Sequence, residues 1–339
     1  MSLVIAGDDV INSDYTTTSI STENNITKYY DENGKLHISY KQYDLEKKLG
    51  HCAIYADDTY ADVNHKKLLM DILKNGCIDH NPRPKYKDGT PAHTISINGV
   101  MQKYDLSKSQ LPILTIRPIA TKSAIGELLW IYQDQSNNLD LLKEKYGVTW
   151  WDAWDIGDRT IGACYGETVR RHNLMNNLLE DIQKDPDGRR HIISLWQVED
   201  FKDKHGLKPC CYQTNFNVRH GIDADYLDMS LYQRSADTAV ANSINLTQYS
   251  VFLCLVARHC GYKPGVFTWF GNNVQIYDRH IPAAEELVSR KGIPCMPKIW
   301  INPDKTNFYD MTIDDIKIID YPMKEIKEKN PQIKFELGE

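Results

Sequence analysis

Two rhythms of apolar residues run along the chain, and they change places. From Val63 to Asn75 the aliphatics recur at helical spacing and the segment closes on Asn75-Gly76, which predicts a helix with a glycine stop. Ser123 to Gln133 repeats the pattern, with Ser123 as the expected cap and Ile125, Leu128, Leu129 and Ile131 as its apolar face. Leu139 to Tyr146 predicts a short helix, and Glu167 to Lys184 a longer one halted by Asp185-Pro186-Asp187-Gly188. After that stop the rhythm shortens. Segments 191–196, 212–218, 226–233, 266–270 and 274–277 alternate or run apolar as strands do, joining an earlier one at Thr94–Ile97. One buried helix, Thr247 to Cys260, interrupts them and ends at Gly261. Helices mixed with consecutive strands predict an α+β fold in one main domain.

Residues 1–60 differ in character, being rich in Asp, Asn, Ser, Thr and Tyr and poor in aliphatics. Within them 26–30 and 36–40 flank Asn33-Gly34, which predicts a β-hairpin. The expected organisation is an N-terminal extension over 1–60 followed by a main body over 61–339.

Composition narrows the classes. A chain of 339 residues, 41% hydrophobic and 25% charged, can bury a sizeable core. A net charge of −6 argues against nucleic-acid binding, though clustered arginines can still hold one phosphate. The start, MSLVIAGDDVINSD, has neither a basic opening nor a long apolar run, and no later stretch is long enough to span a bilayer. The expectation is a cytoplasmic protein with no membrane contact. The eight cysteines are irregularly spaced, without a CxxC pair or zinc-ligand grouping, which predicts free thiols and no metal.

Candidate chemistry begins at Lys208-Pro209-Cys210-Cys211-Tyr212. In an extended segment neighbouring side chains face opposite ways, so at most one thiol can look into a cleft. A nearby positive charge would favour its thiolate, and Arg234 at the end of a strand is a candidate source. Taken alone each cysteine reads as a small buried hydrophobe. Glu127, set among Ile125, Leu128, Leu129 and Trp130, either faces water or, if it faces a cleft, carries a proton near neutral pH. Arg189-Arg190 is a solvated pair or a phosphate clamp. Trp150, Trp151 and Trp154 read first as core.

The order of these signals is more specific than any one of them. Glu127-Leu128-Leu129-Trp130, Trp151-Asp152-Ala153-Trp154, Gly162-Ala163-Cys164-Tyr165-Gly166, Asp185 through Arg190, Pro209-Cys210, Tyr232 through Asp237, Asn245 and Tyr277-Asp278-Arg279-His280 together resemble the thymidylate synthase family, from about residue 64 onward. Asp88 to Thr94 and Trp300-Ile301-Asn302-Pro303 are similar to the branch found in bacilli and their phages. The resemblance implies a large mixed sheet covered by helices, in a homodimer packed through its sheets.

It also assigns roles. Cys210, directly after the proline, matches the nucleophile that adds to C6 of uracil, and Cys211 is expected to point away. Glu127 and Tyr165 match the proton-moving residues. Arg234 and Ser235 match phosphate ligands, joined by Arg189 and Arg190 of a partner subunit, with Arg83 taken as the early-loop arginine. Asn245 matches the amide that reads the base, so the implied substrate is dUMP. Tyr277 and Gln275 match the sugar site, and Trp151 and Asp237 the site of 5,10-methylenetetrahydrofolate. The implied reaction is methylation of dUMP to dTMP. The alternatives are a hydroxymethylase, with water in place of hydride at the last step, and a non-catalytic nucleotide- or RNA-binding homologue.

Four places depart from the family pattern. Gln275 stands where histidine is usual, Asn242-Ser243-Ile244 replaces Pro-Phe before Asn245, and Gly271-Asn272-Asn273 lacks an aspartate. The chain finishes on Phe335-Glu336-Leu337-Gly338-Glu339, a more polar end than the family's small apolar one.

Overall fold

The computed structural model describes residues 4–6, 9–11, 20–31, 33–201 and 207–338. Among them a seven-stranded mixed sheet forms the centre, in the order Cys77–Ile78, Thr94–Ile97, Lys263–Tyr277, Tyr226–Asp237, Cys211–Arg219, Ile192–Ser194, with Val100–Asp105 also on Lys263–Tyr277. Only the central pair, Tyr226–Asp237 with Lys263–Tyr277, is parallel. The helix Asn242–Cys260 crosses between these two strands, as a parallel pair requires. Its run from Leu246 to Ala257 is buried throughout, which explains why it reads as apolar on every side.

The helix Thr121–Tyr132 lies on that crossover helix. Tyr132 stacks on Phe252 with ring centroids 4.2 Å apart, the hydroxyls of Tyr132 and Tyr249 are 3.0 Å apart, and Gln248 donates to the Ala124 carbonyl at 3.1 Å. Together these helices form the floor on which the site rests.

Several boundaries differ from expectation. Thr121–Tyr132 is capped at Ala120, and Ser123 sits inside its first turn, because the chain has already turned helical two residues earlier. The expected 167–184 helix is two helices, Gly166–Arg171 and Leu174–Lys184, parted at Asn173, whose φ of 49° no continuous helix contains. Segments 266–270 and 274–277 are one strand, Lys263–Tyr277. Asn272 and Asn273, which read as a break, stay extended because Asn273 pairs with Ser235 across the sheet.

Toward the N-terminus, Ile20–Glu23, Ile26–Tyr30 and Leu36–Tyr40 form a separate three-stranded sheet. The loop with Asn33-Gly34 joins the last two, and Gly34 adopts the φ of 73° that the turn requires. Ile26, Ile38 and Leu45 are buried in the main core. The Tyr40 hydroxyl donates to the Leu73 carbonyl at 2.8 Å, and the Gln42 amide to that of Gly76 at 2.8 Å. The expected absence of a signal segment at residues 1–14 falls largely outside the described residues. No helix among them is long and apolar enough to cross a membrane.

Candidate active site

The two thiols part company at the start of the Cys211–Arg219 strand. Cys211 is buried in the core against the Tyr249 hydroxyl, and burial pushes its thiol well above the usual range. Cys210, one residue earlier, is half-buried and has its Sγ 3.7 Å from Nη2 of Arg234. A β-bulge falls between Cys211 and Gln213, a device that re-aims side chains at a sheet edge.

Arg234 is clamped from behind. Its Nε donates to the Pro209 carbonyl at 2.9 Å and its Nη2 to that of Lys208 at 2.7 Å, so the guanidinium is fixed to the segment that carries Cys210. Burial pushes the Cys210 thiol up and the Arg234 charge pulls it down, with burial the larger influence. The Arg234 charge thus acts toward the thiolate, while the surroundings as a whole hold the thiol above its ordinary value.

Tyr165 joins from the other side. Its hydroxyl accepts from the Cys210 backbone N–H at 3.0 Å, and its ring meets that of Trp151 edge-on at 5.1 Å. Tyr165 has φ 49° and ψ −112°, a conformation a bulky residue adopts only when its surroundings enforce it. The neighbouring Gly166 supplies part of that enforcement: a Cβ there would lie 2.1 Å from the Ser136 carbonyl oxygen, so the backbones touch.

Glu127 faces inward. Its Oε2 accepts from both indole N–H groups, Trp150 and Trp151, the latter at 2.9 Å, and its Oε1 accepts from Gln248 at 3.1 Å. Burial raises its pKa, while these three donors oppose the rise. Trp150 and Gln248 carry no role in the sequence reading. Gln248 had a legible signal, as an amide leading into a largely apolar helical run must find a partner.

Asn245 is oriented by another residue the sequence reading left without a role. The Gln233 amide is held by Trp269, whose indole donates to Oε1 at 2.9 Å, and by the Ser235 carbonyl, which accepts from Nε2 at 3.0 Å. Nε2 also donates to Oδ1 of Asn245 at 3.3 Å, which fixes which end of that amide is oxygen. Asp237 and Gln275 lie opposite each other on the central strands. Asp237 accepts from the Val240 N–H at 3.2 Å, and burial raises its pKa against the pull of His280 and Arg117. Its remaining lone pairs suit a ligand N–H donor.

Tyr277 ends the same strand as Gln275, and its hydroxyl is pushed up to about 12, chiefly by burial, with the nearby Arg83 charge acting the other way. The C-terminal tail closes over this corner. The Glu336 carbonyl accepts from Nε2 of His280 at 2.7 Å, its carboxylate pairs with Arg279 at 2.8 Å, and the Phe335 ring lies 5.1 Å from His280. Gly338 lies so close to Ala92 that a Cβ would stand 2.7 Å from the Ala92 Cβ and 3.1 Å from the Tyr277 ring. The polar end thus docks through an ion pair.

Cys210, Arg234, Tyr165, Trp151 and Glu127 therefore form one connected group, Asn245 is tied to the neighbouring strand by Gln233, and Asp237, Gln275 and Tyr277 line the central strands. Arg189 and Arg190 do not join them. Both are exposed on the turn before the Ile192–Ser194 strand, and neither forms an ion pair with another described residue.

Residues 63–336 match the family model described as thymidylate synthase. The chain belongs to the thymidylate synthase family. It is 47% identical over 284 residues to the thymidylate synthase of Streptococcus sanguinis, a match covering 83% of this chain and 99% of that protein. A thymidylate synthase of Lactococcus lactis is also 47% identical, over 283 residues. In three dimensions the chain is similar to thermostable thymidylate synthase A from Bacillus subtilis, with a TM-score of 0.74 and 35% identity over 82% of this chain and 99% of that one. The family's α+β fold, with its mixed sheet and helical cover, is the fold seen here.

Proposed function

We propose that the protein is a thymidylate synthase that converts dUMP to dTMP through a covalent adduct on Cys210. The observation that carries this reading is the half-buried Cys210 thiol held 3.7 Å from a clamped arginine, beside a buried carboxyl group and a strained tyrosine. Attack of the Cys210 thiolate on C6 of uracil moves electron density onto O4 and makes C5 nucleophilic. Asn245 donates from Nδ2 to O4, and its Oδ1 accepts from N3–H. Glu127 passes a proton to O4 through a bridging water, and the Tyr165 hydroxyl assists removal of the C5 proton. Cys210 then leaves C6 as the methyl group is completed.

Arg234 and Ser235 hold the phosphate with Arg83, and Tyr277 and Gln275 hold the sugar. Gln275 bonds as histidine would but cannot protonate. When bound, 5,10-methylenetetrahydrofolate supplies the one-carbon unit and then a hydride. Trp151 and Asp237 suit that ligand: one offers a ring face, the other unfilled acceptor capacity. The docked tail is the element that would favour hydride over water at the last step, because Phe335 and Gly338 pack into the corner beside Tyr277.

Arg189 and Arg190 serve the phosphate site of a second copy, in a homodimer packed sheet to sheet. Exposed Met101, Ile192, Trp196 and Val198 on or beside the sheet support that contact. On this reading residues 61–339 are the catalytic unit, 1–60 an addition to it, and the protein works in the cytoplasm. Mass analysis of the product from dUMP and methylenetetrahydrofolate, with a parallel assay for dihydrofolate, tests it. Dihydrofolate with dTMP supports the synthase; tetrahydrofolate with a product one oxygen heavier shows a hydroxymethylase; no turnover removes the enzyme reading.

A further inference from the structure

The three-stranded N-terminal sheet lies outside the family match, which begins at residue 63. Its first turn nevertheless reaches the corner that follows Tyr277. Glu23 pairs with Ile26 across a two-residue turn, Asn24-Asn25, with φ of 50° and 61°, the backbone that tight hairpins demand. From this turn Nδ2 of Asn24 donates to the Asp278 carbonyl at 3.4 Å, and on the next strand Nζ of Lys28 lies 3.5 Å from Oδ2 of Asp278.

Among the described residues, Lys28 is the cation paired with Asp278. Its side chain is only 10% exposed, whereas that of Lys28 is 36% exposed. Oδ1 is taken by the Tyr86 hydroxyl and by the Arg279 N–H at 3.0 Å. The neighbouring Arg279 guanidinium is committed elsewhere: it stacks on Tyr86 and pairs with Asp88 at 2.6 Å and Glu336 at 2.8 Å. Without Lys28 the buried carboxylate either rotates toward water or draws Arg279 away from the tail, and each change shifts the backbone that carries Tyr277.

We infer that the Asn24–Lys28 hairpin is a positioning element for nucleotide binding, in which Lys28 fixes Asp278 and thereby the adjoining Tyr277. This rests on the reading of Tyr277 as a dUMP contact. It gives the added N-terminal segment a function at the substrate site and makes Lys28 a positioning residue for a reaction it does not touch.

The experiment uses the full chain. The affinity for dUMP is measured by calorimetry, and KM and kcat by turnover, for wild type, Lys28→Met, Lys28→Arg, Asp278→Asn and the double variant Lys28→Met/Asp278→Asn. Lys28→Met is expected to weaken dUMP about fivefold in both affinity and KM, with kcat within about twofold and the melting temperature unmoved. Lys28→Arg restores wild-type affinity, and in the Asp278→Asn background Lys28→Met has no further effect. Unchanged dUMP affinity in Lys28→Met, no rescue by arginine, or an undiminished effect without the Asp278 charge overturns the inference while leaving the nucleotide reading intact. Failure of the wild type to bind dUMP overturns that reading, and this one with it.

Discussion

The added N-terminal sheet and the Cys210–Arg234 wall of the central sheet handle polar groups in opposite ways. In the added sheet Asp31 accepts from the backbone N–H of Asn33 and Lys35 and pairs with His37 at 2.9 Å, all near solvent. Asp31 is thus offset by neighbours a few residues away, while Lys28 reaches out of the sheet to Asp278. In the wall, Cys210 and Asp237 are raised by burial, as is Glu127 on the adjoining helix Thr121–Tyr132, each against partners that compensate only in part. Groups left partly compensated in a low-dielectric setting are the ones free to change protonation or form new bonds. A side chain in the wall should therefore matter for rate more than for folding, and one in the added sheet, Lys28 excepted, the reverse.

The sharpest break in that contrast is at the adjacent thiols. Cys210→Ser is expected to cut turnover by at least about 1000-fold with little change in melting temperature, because a hydroxyl is a far weaker nucleophile than a thiolate. Cys211→Ala should retain most activity and instead lower stability, by about 1–2 kcal/mol, as a small core deletion does. Turnover and thermal melts on both variants decide it, and a reversed result would end the assignment. Next in size, Glu127→Gln should lower kcat by about 100–1000-fold while KM for dUMP moves little; a preserved kcat would remove Glu127 from the proton path.

From the other region, Ile26→Ala should cost about 2–4 kcal/mol in denaturant melts with kcat unchanged. Loss of rate without loss of stability would erase the distinction between the two sheets. The smallest expected change concerns pH. Burial holds the Cys210 thiol up, so adduct formation with 5-fluoro-dUMP should quicken as pH rises through the alkaline range. Arg234 pulls the thiol down, so Arg234→Gln should move the midpoint of that rise upward. A midpoint that stays put or falls would show that the guanidinium does not act on the sulfur.

Much of this was legible from the sequence, for identifiable reasons. The apolar run of the crossover helix, the Asn75-Gly76 stop and the hairpin around Asn33-Gly34 are local signals, and local physics sets those elements. The Val100–Asp105 strand escaped because Gln102 and Lys103 interrupt its apolar residues, and the partner that holds it extended is more than 150 residues away. The break at Asn173 escaped because helical spacing continues across it and only the backbone angle reveals it. At the site, alternation alone separates Cys210 from Cys211 but does not say which faces the cleft; the family resemblance supplied that choice. Gln233 and Trp150 were missed because their importance lies in what they hold, Asn245 and Glu127, and such second contacts have no fixed spacing along a chain.

The fifteen-residue strand Lys263–Tyr277 carries Trp269 near its middle and Tyr277 at its end. Trp269 sets the Gln233 amide, Gln233 sets Asn245, and Tyr277 belongs to the sugar corner. On the proposed reading, recognition of the base is wired to an indole inside the protein, not to anything a solvent-facing substitution can reach. Retargeting the enzyme to another pyrimidine would then begin with turning one interior amide, and every variant that left Trp269 in place would find that amide already facing the old way.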